Sequence, residues 1–254
     1  MEVSLRQVLD LVGNLDDSPG ENTPRERFRQ FLQTNVTQIG QVRDYIEECL
    51  RTSGDKYSRA LQDLLNHLGR FLRFDVVFGR YQGVQGQIGF DGHWKSPAGF
   101  DVVVEVKTTE VYAIKTATLL HYINELVSNK SVADPEKVLG LYIVGRPDPE
   151  IRQLENAIIA ERKTQQLRII SANSLLSIAE MMNEYEIAHE DRRRSPIRQF
   201  ELLNCFPGFS GSANPNFTST DQSLLMRNSE AGWKRSGVVI PRPHGHGTCK
   251  ELAG

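Results

Sequence analysis

The stretch Phe100 to Lys107, reading Phe-Asp-Val-Val-Val-Glu-Val-Lys, restricts the fold of this 254-residue chain more than any other. Its apolar, β-branched run predicts a buried strand. The strand nevertheless ends in charges: Glu105 and Lys107 share one face, while Val104 and Val106 turn toward the core. Upstream, Gln87 to Trp94 predicts a second strand, and Ser96-Pro97-Ala98-Gly99 between them has turn chemistry, so the two form an antiparallel hairpin. Asp91 and Glu105 are equidistant from Ala98. Folding about that turn sets the two carboxylates opposite or nearly opposite each other, with the Lys107 amine on the same surface.

With 39% hydrophobic residues and 11 phenylalanines, the chain can bury one sizeable core, and its length permits one or two domains. The 30 basic and 32 acidic side chains give a net charge of -2, so any nucleic-acid footprint must be a local patch. Cys49, Cys205 and Cys249 are scattered and lack CxxC spacing, which argues against a disulfide framework or a zinc site and for a reducing cytoplasm. The N-terminus lacks a signal-peptide layout, and no apolar run approaches the roughly 20 residues of a membrane span, so no membrane role is expected.

Residues 1 to 52 are helical in pattern, interrupted at Asp16-Asp17-Ser18-Pro19-Gly20 and restarted by the capping sequence Thr23-Pro24-Arg25-Glu26. This helical lead-in is expected to pack against a main domain spanning residues 53 to 189. There, Asp55 is a candidate cap for a helix through Leu72 with an apolar stripe over Leu61, Leu64, Leu65, Leu68 and Phe71. Phe74 to Phe78 predicts a strand, followed by a Gly-rich connection, the hairpin, and a helix from about Val111 to Val127. Val138 to Val144 predicts a central strand, Asp148-Pro149 a helix start, Leu167 to Ile170 a fifth strand, and Ser171 or Asn173 the cap of a last helix. From residue 190 to 254 the composition turns to Gly, Ser, Asn and Pro with little periodicity, which predicts a poorly ordered tail.

Two carboxylates on adjacent strands, with the Val106 carbonyl between Glu105 and Lys107, offer oxygen donors suited to magnesium or manganese. Such an ion can polarise a phosphoryl oxygen and acidify a bound water, and Lys107 can orient that water. This is equipment for phosphodiester hydrolysis.

Asp91 followed by Glu105-Val106-Lys107 resembles the PD-(D/E)xK motif of the restriction-endonuclease-like nuclease superfamily, with Phe90 where the motif name has proline. The order helix, three strands, helix, strand is similar to that superfamily's αβββαβ core, a mixed central sheet flanked by helices, over about Asp55 to Tyr185. The resemblance implies a magnesium-dependent deoxyribonuclease in which Asp91 and Glu105 bind the metal, the Val106 carbonyl completes the ligand set and Lys107 assists the attacking water. Many members also use an acid or Gln from the first core helix; Gln62 and Asp63 are the candidates here, although the pattern around Asp63 also suits a solvated residue. Its context would be prokaryotic defence or DNA processing.

Other side chains near the motif have two readings each. Tyr112, Lys115 and His121 lie near or on the helix after the hairpin, where phosphate contacts often form. Arg80 and Tyr81 precede the hairpin as candidate backbone and base-stacking contacts, or Tyr81 only closes the core; Arg146 follows the central strand as a candidate phosphate contact or as a solvated or helix-end-paired residue. His93 reads as a cross-strand contact or a substrate group. Asp101 lies roughly 13 Å along the strand from Glu105, too far for a shared ligand set, and reads as a solvated strand start. DNA is the expected partner and a homodimer the natural assembly for double-strand cleavage. A catalytically silent nucleic-acid-binding or scaffolding module of the same fold, or a nuclease for RNA or junctions, are the rival readings.

Overall fold

The computed structural model describes residues 3–83, 88–108, 116–132, 134–145 and 149–188. Arg146, Lys115 and Tyr112 lie outside these residues, as does the tail. In chain order the elements are α1 (Leu5–Val12), α2 (Pro24–Asn35), α3 (Ile39–Arg51), α4 (Asp55–Phe71), β1 (Asp75–Phe78), β2 (Gly92–Lys95), β3 (Asp101–Lys107), α5 (Thr116–Ser128), β4 (Val138–Val144), α6 (Pro149–Ala160), β5 (Leu167–Ser171) and α7 (Ala172–Ala188). A short 3-10 turn, Pro135–Lys137, leads into β4. The architecture is α/β, a five-stranded mixed sheet flanked by helices.

The five strands follow one another across the sheet in chain order. β1, β2 and β3 are antiparallel, while β3, β4 and β5 are parallel, and α5 and α6 make the two crossovers that parallel pairing requires. β3 is therefore central, and residues 101–106 are all buried. Both of its faces are covered, which is why it reads as a nearly continuous apolar run.

Its even-numbered valines, Val102, Val104 and Val106, pack with Leu141 and Ile143 against the α4 stripe of Leu61, Leu64, Leu65 and Leu68 and against Leu175 and Leu176 of α7. Val103 and Tyr142 pack on the other side with Leu119 and Ile123 of α5 and Leu154 and Ile158 of α6. Strand alternation puts Glu105 and Lys107 on this second side. The lead-in of residues 1–52 packs as expected against the main body: Leu5, Leu9, Phe28, Leu32, Val42 and Ile46 belong to the same core as α4 and β3.

Local chemistry explains most boundaries. Ser4 and Gln7 form a reciprocal capping box on α1, and Thr23 accepts the Glu26 amide at 3.3 Å to start α2. Ser171 plays the same part for α7, accepting the Ser174 amide at 3.0 Å. Asp55 does not cap α4: Gly54 occupies the cap and Asp55 is the first helical residue. The turn at Ser96 closes as expected, with the Gly99 amide donating to the Ser96 carbonyl at 2.9 Å. β2 is shorter than its predicted span and begins at Gly92, for a reason that lies in the site itself. No helix among the described residues is long and apolar enough to cross a membrane.

Candidate active site

The hairpin register pairs Lys95 with Asp101 and Gly92 with Val104, and one further step would set Asp91 opposite Glu105. The ladder breaks at that step. The Asp91 amide donates to the Val104 carbonyl at 3.0 Å, one residue short of the continued register, and the Asp91 carboxylate turns to accept the Val106 amide at 2.6 Å through Oδ2. A side chain thus replaces the backbone acceptor that a longer β2 would have supplied. In a strand, the N–H and C=O of one residue face the same edge, so the Val106 carbonyl also faces Asp91. The Lys107 carbonyl faces the opposite edge, where it accepts the Gly145 amide at 2.8 Å.

Glu105 is buried, and its Oε1 accepts Lys107 Nζ at 2.6 Å. Its Oε2 is also buried and has no hydrogen-bond partner among the described residues. Buried polar atoms almost always find partners, because an unmatched one costs about 1–3 kcal/mol. Burial pushes the Asp91 carboxyl well above the ordinary carboxylate range, Glu105 adds repulsion, and the Val106 amide and Lys107 oppose both. Burial also raises Glu105, against the pull of Lys107. The half-buried Tyr122 of α5 borders the same space; burial raises its hydroxyl, with further push from Glu105 and Asp91.

No protein-family model matches this chain, and no curated protein matches it. The site therefore stands on its own geometry.

Among the described residues, no group of three or more His, Cys, Asp or Glu side chains is gathered around a metal position. The donors available are the two carboxylates and the Val106 carbonyl. They fit a hard cation. All are oxygens, and the orphaned Glu105 Oε2 together with the two raised carboxyls describes a site short of positive charge.

Behind Asp91 lies a second layer of polar contacts. Asn66 of α4, fully buried, donates to the Asp91 carbonyl at 2.9 Å and accepts the Trp94 indole N–H at 2.8 Å. Gln62, one turn earlier, donates to the Arg80 carbonyl at 3.0 Å, so it steadies the loop before Asp91. Asp63 is not solvated: it is fully buried, takes the Arg29 guanidinium on both oxygens at 3.0 Å, and accepts the Tyr81 hydroxyl. Burial pushes the Asp63 carboxyl up, and Arg29 and Tyr81 pull it back. Tyr81 accordingly has its hydroxyl turned inward, and its ring lies beneath the guanidiniums of Arg29 and Arg59. Arg80 is half-buried in the same loop.

Asp101 is likewise buried rather than solvated, because His93 crosses the hairpin diagonally to meet it at 2.7 Å. His93 therefore makes the cross-strand contact. His121 is exposed beside Glu125, 3.6 Å away.

Arg29, Asn66 and Gly79 were not legible as site residues. Asn66 left one trace, as an amide set among the leucines of the α4 stripe. Arg29 lies 34 residues from Asp63 and left none.

Proposed function

We propose that this chain is a magnesium- or manganese-dependent nuclease of the PD-(D/E)xK type that hydrolyses DNA phosphodiesters. One observation carries the reading: the strand ladder is broken where the Asp91 carboxylate takes the Val106 amide, next to a Glu105 with one buried carboxylate oxygen unmatched and Lys107 against the other. The succession α4-β1-β2-β3-α5-β4 supports it, since it follows the αβββαβ order of the restriction-endonuclease-like core. A DNA-processing or defence role in the cytoplasm, and a two-fold dimer for double-strand cleavage, belong to the same proposal.

Asp91, Glu105 and the Val106 carbonyl would hold the metal, which when bound supplies Lewis acidity to the phosphoryl oxygen and lowers the pKa of a bound water. The chain's own groups do the rest. The Val106 amide fixes Asp91 in one orientation. Lys107 brings positive charge to Glu105, and from there it is placed to orient the water and to offset charge developing on phosphorus. The packed surroundings of β3 keep bulk water from screening these charges.

Plasmid DNA incubated with the protein in magnesium is expected to be cleaved, and Asp91→Ala and Glu105→Ala are each expected to abolish cleavage. Cleavage surviving both changes would sink the catalytic assignment. A wild-type protein that binds DNA without cutting it would favour the silent module, and preference for RNA or junctions in a parallel panel would redirect the substrate.

A further inference from the structure

We propose that Arg29, on the N-terminal helix α2, is a positioning residue for Asp91, acting through the peptide of Gly79. The inference rests on the nuclease reading above and gives the lead-in helices a part in the site.

The Asp91 carbonyl is held by two donors, the Gly79 amide at 2.9 Å and the Asn66 side chain at 2.9 Å. Gly79 is itself held from its other side, where its carbonyl accepts Arg29 Nη2 at 2.7 Å. The contact between the two chain segments is too close for any side chain, since a Cβ on Gly79 would lie 2.0 Å from the Phe90 carbonyl oxygen; against α4, a Cβ on Gly92 would lie 1.8 Å from Asn66 Oδ1. Peptides packed this tightly move together. Holding the Gly79 carbonyl limits the two dihedrals that link it to the Gly79 amide, and so restrains the Asp91 carbonyl that this amide binds and the direction in which the carboxylate leaves the chain toward Val106.

Arg29 is well suited to the task. It is buried, the Nε and Nη2 of its guanidinium edge both bond Asp63, and its guanidinium lies 5.0 Å from the Phe78 ring centroid, so its further contact to Gly79 is delivered from a rigid base. The same N-terminal segment secures the next residues of the loop. Asp17 accepts the Tyr81 amide at 3.2 Å and the Gln82 amide at 2.9 Å while Arg25 holds its Oδ1 at 2.7 Å. The run from Gly79 to Gln82 is thus fastened at three points by residues 17 to 29, which is more than core packing alone asks for.

The test uses the full-length chain. In the triple variant Arg29→Met, Asp63→Leu, Tyr81→Phe the side chains of the network become apolar, a kind of exchange that folds tolerate well, and the Gly79 carbonyl loses its Arg29 donor. In Arg29→Lys a single ammonium cannot serve both Asp63 and the Gly79 carbonyl. Two readouts are taken: amide hydrogen exchange at Val106, whose N–H is bonded to Asp91, against Val102 in the intact ladder; and kcat and KM for plasmid cleavage in magnesium. The expected result in either variant is a selective loss of Val106 protection of about tenfold with Val102 unchanged, and kcat lower by about 100-fold at similar KM. Protection lost equally at both amides would mean that Arg29 is only structural, and unchanged protection at both would mean that Asp91 is positioned without it; each overturns the proposal. If the triple variant fails to fold, Arg29→Lys decides by the same criterion. A wild-type protein that cleaves nothing, but whose variants lose Val106 protection selectively, removes the nuclease reading and leaves the positioning intact.

Discussion

Asp63 on α4 and Glu105 on β3 are both carboxylates taken out of water, but the fold treats them differently. Asp63 has a donor on each oxygen, the forked guanidinium of a buried arginine and the phenol of a half-buried tyrosine. Glu105 has one ammonium on one oxygen, and its other oxygen has no hydrogen-bond partner among the described residues. Desolvating a carboxylate costs several kcal/mol unless it is fully paired. On the proposed reading, full pairing marks a carboxylate that serves the fold, and a buried oxygen left over is one open to a ligand.

The strongest way to break this comparison is to remove each carboxylate in turn. Asp63→Ala leaves Arg29 buried without its partner and is expected to cost about 3–5 kcal/mol in urea unfolding. Glu105→Gln removes charge that repels Asp91 while its amide oxygen can still accept from Lys107, so the metal-free protein is expected to be about as stable while cleavage disappears. If Glu105→Gln unfolds as readily as Asp63→Ala, the two sites are not of different kinds.

A smaller effect is expected at the contact that joins them. Gly79→Ala drives a methyl group against the Phe90 carbonyl and displaces the Asp91 peptide. Overpacking of this sort costs about 1–3 kcal/mol, and an ångström of misplacement about 100-fold in rate. Thermal unfolding and cleavage kinetics on one preparation separate the two losses, and a fully active Gly79→Ala protein would refute the tight coupling.

The acid dependence sharpens the comparison further. The carboxyls of Asp91 and Glu105 are raised in the folded chain from ordinary values of 3.8 and 4.5, first by burial. The folded state thus holds their protons more tightly than the unfolded state. Their contribution to stability is full below the ordinary values and is lost as pH rises through the raised ones. In EDTA, the melting temperature of the wild type is expected to fall relative to an Asp91→Asn, Glu105→Gln variant from about pH 4 toward neutrality, and magnesium should reverse the trend. A difference that stays constant across that range would show that the pair carries no unbalanced charge.

Much of this arrangement was legible beforehand, and the part that was not has a physical reason. β4 runs from Val138 to Val144 as expected, because a strand buried on both faces writes its boundaries in continuous apolar residues. The pairing of Gly92 with Val104, one residue short of Asp91 and Glu105, follows from counting to Ala98, because an antiparallel hairpin has one register for a given turn. The start of β2 at Gly92 was hidden, since it depends on the Asp91 side chain displacing a backbone bond. The local pattern around Asp63 suits a solvated residue because its partner is supplied by another helix, and no local pattern announces a contact across 34 residues.

Asp101 provides the mildest test, since it is buried like Asp63 and Glu105 and shares the hairpin and the strand face of Glu105. If burial alone made a functional acid, Asp101 would qualify. Its partner, however, is His93 at 2.7 Å, and none of its side-chain atoms is left buried without a hydrogen bond. It belongs with Asp63. In Asp101→Asn the amide oxygen can still accept from His93, so only the charge assistance is lost. The expected cost is about 1 kcal/mol in urea unfolding, with cleavage within about twofold of the wild type. Loss of cleavage in a stable Asp101→Asn protein would extend the site along β3 and remove the distinction between matched and unmatched carboxylates.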